Sequence, residues 1–511
     1  MMRTTARTIT TLLAAVAIGG ALAAPAAAFT PSPVTPERVA AAVAEADAIV
    51  ADALARTGVP GLALAIVHDD TVVHLAGYGI RDLATGAPVT TGTVFQLASV
   101  SKPIGATVIS AAVDRGLVRW DDPIVMHLPD FRLADPWVTD AVTIADMYSH
   151  RSGLPDHAAE LPETWGFDQA TVLAALALEP LAPFRATYAY TNTGLTAGGL
   201  AAAAAAGMDW AEMGQELLYG PAGMTETSSR FADYLAAPDR AVGHLPDGAG
   251  GWRPITPFDP DVESPAGGVS SSITDIATWL RLQLGLGTLD GREIVSAAAL
   301  AEMRTPRIVP APVVDPVDLP PVLAGLGINV MTDANGRPRL THSGAFTHGV
   351  ATTIVILPAD GIAIGVLTNG APLGVAEGVA EELIDRIVTG DSPDDRVEQV
   401  GAGFRPLIDA LIAAPEEGTP ARPLAAYTGT YRNAYLGAVT IAQDGDALIA
   451  RVGPDGRAYP VVPLGGDTFV IVPPEPGEFV RRITFRAAAD GTIDALELAD
   501  FPDAARGLLL R

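Results

Sequence analysis

Phe95-Gln96-Leu97-Ala98-Ser99-Val100-Ser101-Lys102 decides how this chain is read. Residues 94–97 have the apolar, β-branched and aromatic character of a short strand, and residues 104–113 form an apolar run that reads as a buried helix. Ser99 and Lys102 therefore stand at a strand-to-helix junction. Side chains three apart on a helix share a face, so the amine falls within reach of the hydroxyl. A serine hydroxyl becomes a useful nucleophile only when an adjacent base takes its proton. S-x-x-K alone is a common pattern, and its meaning depends on partners elsewhere in the chain.

Working outward, the chain has 511 residues, enough for two or three domains. Hydrophobic residues make up 49% and charged residues 18%, the balance of a globular protein. A formal charge of −27 argues against nucleic acid and anionic membrane surfaces as partners. There is no cysteine, which excludes disulfides, thiol catalysis and thiolate metal sites. Arg3 and Arg7, the apolar residues 9–24 and Ala26-Ala27-Ala28 have the pattern of an export signal over residues 1–28. The expected mature protein is periplasmic or secreted, with no stable membrane insertion.

Residues 36–55 have helical spacing, and residues 61–67 and 71–76 read as a hairpin turning at His68-Asp69-Asp70. Helical stretches dominate from about residue 102 to 220, with residues 158–184 expected as a loop near the pocket. Residues 306–321 are proline-dense and read as a surface loop. Strand-like runs follow at 326–330, 352–357 and 361–368, then a helix at 375–388. Strands at both ends with helices between predict an α+β domain over 35–390, its antiparallel sheet assembled from distant parts of the chain beside an all-helical region. A helix and linker fill 391–423. From 424 to 511, short alternating runs separated by Asp444-Gly445, Asp455-Gly456 and Asp490-Gly491 predict a small all-β, barrel-like domain.

Two further segments carry chemistry. Tyr190-Thr191-Asn192 lies in a polar turn before an apolar helix. A tyrosine can move protons beside a cation such as Lys102, and Asn192 could orient the lysine and a substrate amide. His342-Ser343-Gly344-Ala345 lies between strand-like runs, where an edge strand could bond an extended substrate and Gly344 would permit close approach. His150 reads as the brace of a helix–loop corner and His348 as a surface turn residue. No ligand cluster implies a metal, and no cofactor is expected.

S-x-x-K, then Y-x-N, then H-x-G, in that order, resembles the serine β-lactamase and penicillin-binding-protein superfamily. The similarity is nearest to the class C β-lactamase-like hydrolases, which include D-aminopeptidases, D-alanyl-D-alanine carboxypeptidases and esterases. Phe95-Gln96-Leu97-Ala98, Ser149-His150-Arg151-Ser152-Gly153-Leu154-Pro155 and Pro265-Ala266-Gly267-Gly268-Val269 fit the same pattern. The resemblance implies that Ser99 is the nucleophile and Lys102 its proton acceptor or relay. Tyr190 is implied as base for acylation or acid for the leaving group, and Asn192 as the group that orients substrate and lysine. The backbone N–H groups of Ser99 and Ala345 would form the oxyanion hole.

His342 stands where many of these relatives carry lysine. A histidine is largely neutral at pH 7, which argues against carboxylate recognition and against a β-lactam specialist. The expected function is an exported serine hydrolase of small or D-residue peptides. A carboxylesterase or weak β-lactamase of the same fold is the alternative, and a non-catalytic penicillin- or peptide-binding protein is the alternative of another class. The expected partner is thus a small-molecule, peptide or ester substrate. Tyr427-Thr428-Gly429-Thr430-Tyr431 and Tyr435-Leu436-Gly437 resemble an appended lipocalin-like β-domain. Such a domain would border the active site or mediate homo-oligomer assembly.

Overall fold

The computed structural model describes residues 33–310, 322–333 and 336–511. The expected export signal, and most of the expected proline-dense loop, lie outside the described residues.

Three long apolar runs build the centre of the protein. Gly61–His68, Val350–Leu357 and Ile362–Thr368 are buried almost throughout, so they cannot belong to a one-sided sheet. They are neighbours in an eight-stranded antiparallel sheet. Its order is Leu323–Ala324, Asn329–Thr332, Pro338–Phe346, Val350–Leu357, Ile362–Thr368, Gly61–His68, Thr71–Asp82 and Ala87–Pro88. The register Leu64↔Val366 pairs the sheet's first strand in the sequence with its last, so the sheet is assembled from distant parts of the chain. The His68-Asp69-Asp70 hairpin lies where the sequence puts it.

Helices cover both faces. Pro36–Thr57 and Val375–Thr389 pack Ala46, Val50, Val379 and Leu383 against Leu62, Leu64 and Val366. The first of these helices starts at Thr35, whose side chain accepts from the Arg38 amide, and Pro36 sits where no intrahelical N–H is needed. On the other face lie Ser101–Asp114, Asn192–Ala206 and Ile273–Leu284. Ser101–Asp114 is buried on every side from Ser101 to Ala112, as the apolar residues spread around its circumference require.

Two expectations need correction. The run at 326–330 enters the sheet only at Asn329, because Leu326 and Gly327 form a turn in which the Gly327 amide donates to the Tyr148 carbonyl. Residues 158–184, expected as a loop, contain the helices Glu160–Thr164 and Gln169–Ala175.

Beyond the helix Arg396–Ile412, eight antiparallel strands form a closed barrel, sealed where Arg432 meets Leu510. Tyr427, Phe469 and Phe485 fill its interior, with ring centroids 4.8–5.3 Å apart. The barrel docks on the helical region through Glu179. That fully buried carboxylate is ion-paired with Arg506 and accepts from the Tyr435 hydroxyl. Two barrel strands escape the sequence pattern: Arg457–Gly465, interrupted by Pro460 and Pro463, and the terminal Leu508–Leu510.

Candidate active site

The strand Val94–Gln96 pairs with Ser270–Ser272 and delivers the chain to Ala98, which adopts a left-handed backbone conformation with φ +48°. A non-glycine residue pays strain for this geometry. The kink turns the chain from strand into the helix Ser101–Asp114 and leaves Ser99 at the junction, partly open to a cavity. His150, His157 and Ala159, also in the cavity wall or next to it, have positive φ as well.

Three predicted residues meet at the Ser99 hydroxyl. Lys102 Nζ lies 3.0 Å from Ser99 Oγ, and the Tyr190 hydroxyl donates to the same oxygen at 2.8 Å. Lys102 also donates to Asn192 Oδ1 at 2.7 Å and to the Ala266 carbonyl at 2.9 Å. Its ammonium is fully buried, and burial pulls its pKa down to about 7 against the pull of Glu263, Glu160 and Glu163. Near neutrality the amine is thus available as a base. Neutral Lys102 keeps two donors for Asn192 and Ala266 and turns its lone pair to the serine proton.

Tyr190 is held differently. Burial pushes its pKa far above the ordinary phenol range, outweighing the bond to Ser99, so it stays protonated. The His150 ring lies 4.6 Å from the Tyr190 ring, and His150 Nδ1 accepts from the Thr191 amide. Burial keeps His150 neutral, as that acceptor role requires. The corner holding His150 is zipped to the chain leading to Tyr190 by the Arg185 and Ala189 amides, which donate to the Arg151 and His150 carbonyls. Buried Asp146 anchors the corner through Arg151 and Arg185.

His342 and Gly344 lie on the opposite wall. The neighbouring strand stops where Asn329 meets Thr341, so among the described residues 342–346 have no strand on their outer edge. Gly344 packs directly behind the serine turn. A Cβ there would stand 2.2 Å from the Leu97 carbonyl oxygen and 2.8 Å from the Ser99 nitrogen. The close approach expected at Gly344 is therefore made by this chain's own backbone. His342 donates from Nδ1 to the Ser343 carbonyl, and burial drives its pKa down to about 3. It is a neutral group that leaves no fixed charge for a carboxylate. Ala345 lines the same edge.

The cavity measures about 1000 Å³, large enough for a peptide-sized ligand. Sequence reasoning missed much of its wall. His157 and Glu160 form an ion pair at 2.8 Å, and Glu160 accepts from Asn192 Nδ2 at 2.7 Å. Glu160 raises the pKa of His157 to about 9. Burial, then Glu160, raises Glu263 to about 7, and Glu163 is pushed well up by burial, Glu263 and Glu160. No local motif marks these carboxylates; they converge only through the fold. The outer rim comes from the barrel, with Arg457, Glu475, Glu478, Phe479 and Arg481. His348, expected at the surface, is instead packed 5.3 Å from the Phe258 ring and beside Gly477 of the barrel. Among the described residues no group of three or more His, Asp or Glu side chains could hold a metal ion. Nor is any described helix long and apolar enough to cross a membrane.

Comparison with protein families matches residues 46–389 to the beta-lactamase family. The chain belongs to that family. Its site is accordingly of serine-hydrolase type. Residues 413–507 match a domain of unknown function, DUF3471, which coincides with the barrel. An unguisins hydrolase of Aspergillus violaceofuscus is 28% identical over 77% of this chain and 76% of its own length. Penicillin-binding protein 4 of Amycolatopsis lactamdurans is 29% identical over 71% of this chain and 93% of its own. Among solved structures, the octameric penicillin-binding protein homologue from Pyrococcus abyssi superposes with a TM-score of 0.59. It is 21% identical and covers 92% of this chain and 100% of its own. SurE superposes with a TM-score of 0.57 at 23% identity, over 92% of this chain and 99% of its own. These structures share the two-part fold.

Proposed function

We propose that this protein is an exported, periplasmic or secreted hydrolase that cleaves small or D-residue peptides through an acyl-enzyme on Ser99. The observation that carries the proposal is the Ser99 hydroxyl, 3.0 Å from a buried lysine amine and 2.8 Å from a protonated tyrosine, at the wall of a peptide-sized cavity. Neutral Lys102 takes the serine proton as Ser99 Oγ bonds to the substrate carbonyl carbon. The resulting oxyanion is met by the Ser99 and Ala345 amides; one such donor typically lowers the barrier by about 3–4 kcal/mol. Tyr190, protonated and already bonded to Ser99 Oγ, passes a proton to the departing amine, and the Lys102 ammonium replenishes it. Water then attacks the ester, with Lys102 again as base, and Ser99 is restored.

Neutral His342 sets no fixed cation on this wall and favours an uncharged substrate over an anionic one. That argues for the peptidase over a β-lactamase. The similarity to a protein named as a hydrolase and to one named as penicillin-binding is compatible with this reading. A carboxylesterase is the second reading, because an ester needs no protonated leaving group and the same serine would serve.

The test compares turnover of a D-alanine amide with that of a short-chain p-nitrophenyl ester by the wild-type protein and by Tyr190→Phe. The peptidase reading expects a substantial amide rate that falls far more than the ester rate in Y190F. A strong ester preference with equal losses in Y190F would overturn it in favour of the esterase.

A further inference from the structure

Asn192 has an amide whose two ends are chemically opposite, and its orientation decides whether Lys102 can act as a base. In the structure Oδ1 accepts from Lys102 Nζ while Nδ2 donates to Glu160 Oε1. If the amide were reversed, Nδ2 would donate to the lone pair of neutral Lys102. The electron pair needed for the Ser99 proton would then be occupied. Lys102 itself does little to prevent the reversal once it is neutral, because a neutral amine can accept as well as donate. Glu160 does prevent it, since a carboxylate accepts and cannot donate.

We propose that Glu160 is a positioning residue for acyl transfer, which holds Asn192 with its carbonyl toward Lys102 and is itself anchored from the barrel. The inference rests on the Ser99–Lys102 reading above.

Glu160 is held from two sides. His157 Nδ1 donates to Glu160 Oε2 at 2.8 Å, so both carboxylate oxygens are engaged and the group cannot rotate away from Asn192. Burial disfavours the charge on Glu160, but His157, Lys102 and the bond from Asn192 outweigh it and keep the carboxyl below its usual range. The backbone is pinned at the preceding residue. Ala159 is left-handed at φ +61°, and its amide donates both to Glu179 Oε1 and to the Tyr435 hydroxyl, each at 3.0 Å. Tyr435 belongs to the barrel, and Arg506 of the barrel neutralises Glu179. The line of contact runs from the barrel through Ala159 and Glu160 to Asn192, Lys102 and Ser99.

The electrostatic surroundings separate orientation from charge. Lys102 is faced by Glu160, Glu163 and Glu263, by neutral His150 and His342, and by protonated Tyr190. Glu160 is faced by His157, Lys102, Asn192, Glu163 and Glu263. Glu163 and Glu263 tend to keep their protons, whereas Glu160 is charged and favours the Lys102 ammonium. Removing its charge lowers the pKa of Lys102, and activity that needs the neutral amine then appears at lower pH.

The experiment measures the rate of fluorophosphonate labelling of Ser99 in the full chain as a function of pH. Wild type, Glu160→Ala and Glu160→Gln are compared, with thermal unfolding as the folding control. E160A should label about 100-fold more slowly, the scale of a misplaced catalytic group. E160Q keeps a carbonyl that can accept from Asn192 but adds an NH2 that can donate to it, so it should label more slowly than wild type while its rising limb moves to lower pH. Folded E160A with wild-type rate and pH profile would overturn the proposal. So would E160Q with wild-type rate or with an unmoved limb, which decides the matter even if E160A fails to fold. Failure of the wild type itself to label would instead remove the Ser99 reading.

Discussion

The inner and outer ends of the cavity are built on opposite plans. At the inner end Ser99, Lys102, Tyr190, Asn192 and Glu160 form one chain of contacts between 2.7 and 3.0 Å, held by left-handed residues at Ala98, His150, His157 and Ala159. At the outer end the barrel supplies Arg457, paired with Glu478, and Arg481, paired with Asp500, each at 3.2 Å and in contact with solvent. Buried, fully bonded polar groups fix one geometry, whereas exposed pairs are worth little and can be exchanged. On the proposed mechanism the inner end is the part that carries the reaction. On the same proposal the outer end, contributed by a different domain, is the part free to change with substrate.

The largest expected effect falls on the inner end. Lys102→Met removes the base and should lower kcat/KM by about 10⁴-fold, toward the upper range for acid–base groups, with little change in melting temperature. The wild-type pH profile should rise through about pH 7, because the buried amine works only when neutral and its folded pKa lies there. Equal activity at pH 5 and pH 8 would break the contrast between the two ends.

Next is the joint between them. Glu179→Ala leaves the Tyr435 hydroxyl without its acceptor and the buried Arg506 with Asp503 as its remaining partner, and should destabilise the protein by about 3 kcal/mol. Denaturant unfolding monitored on the whole chain checks this. A loss near zero would show that the barrel is held elsewhere.

Gly344→Ala pushes a methyl group into the Leu97 carbonyl and the Ser99 amide. The strand must retreat, and labelling of Ser99 should slow by about 100-fold. An unchanged rate would mean that the wall behind the serine does not need its present position. The smallest effect is expected for Arg457→Ala at the rim, with KM for a small substrate altered by less than about 3-fold and kcat unchanged, in line with the modest worth of exposed ion pairs. A large drop in kcat there would erase the division between the ends.

How much of this was legible in the sequence follows the same division. Ser99 and Lys102 could be found because their relation is local, set by three residues of helix at the end of a strand. The sheet could be assembled because residues 61–67, 352–357 and 361–368 are apolar enough to demand cover on both faces. The strand Arg457–Gly465 was hidden by Pro460 and by Pro463, which sits at a register shift where a missing N–H is tolerated. Glu160 gave no signal, since its partners are Asn192 in a distant helix and His157, itself a lone histidine in a stretch that reads as loop. His348 was misplaced because the segment that covers it, around Gly477, belongs to the other domain and leaves no periodicity near the histidine.

Acyl transfer through Ser99 is tested most directly by treating the full chain with a fluorophosphonate and locating the added mass by peptide mass spectrometry. The expected result is a single adduct on the peptide containing Ser99, formed faster as pH rises through about 7 and absent from Ser99→Ala. An unmodified wild-type protein, or an adduct that persists in Ser99→Ala, would contradict it.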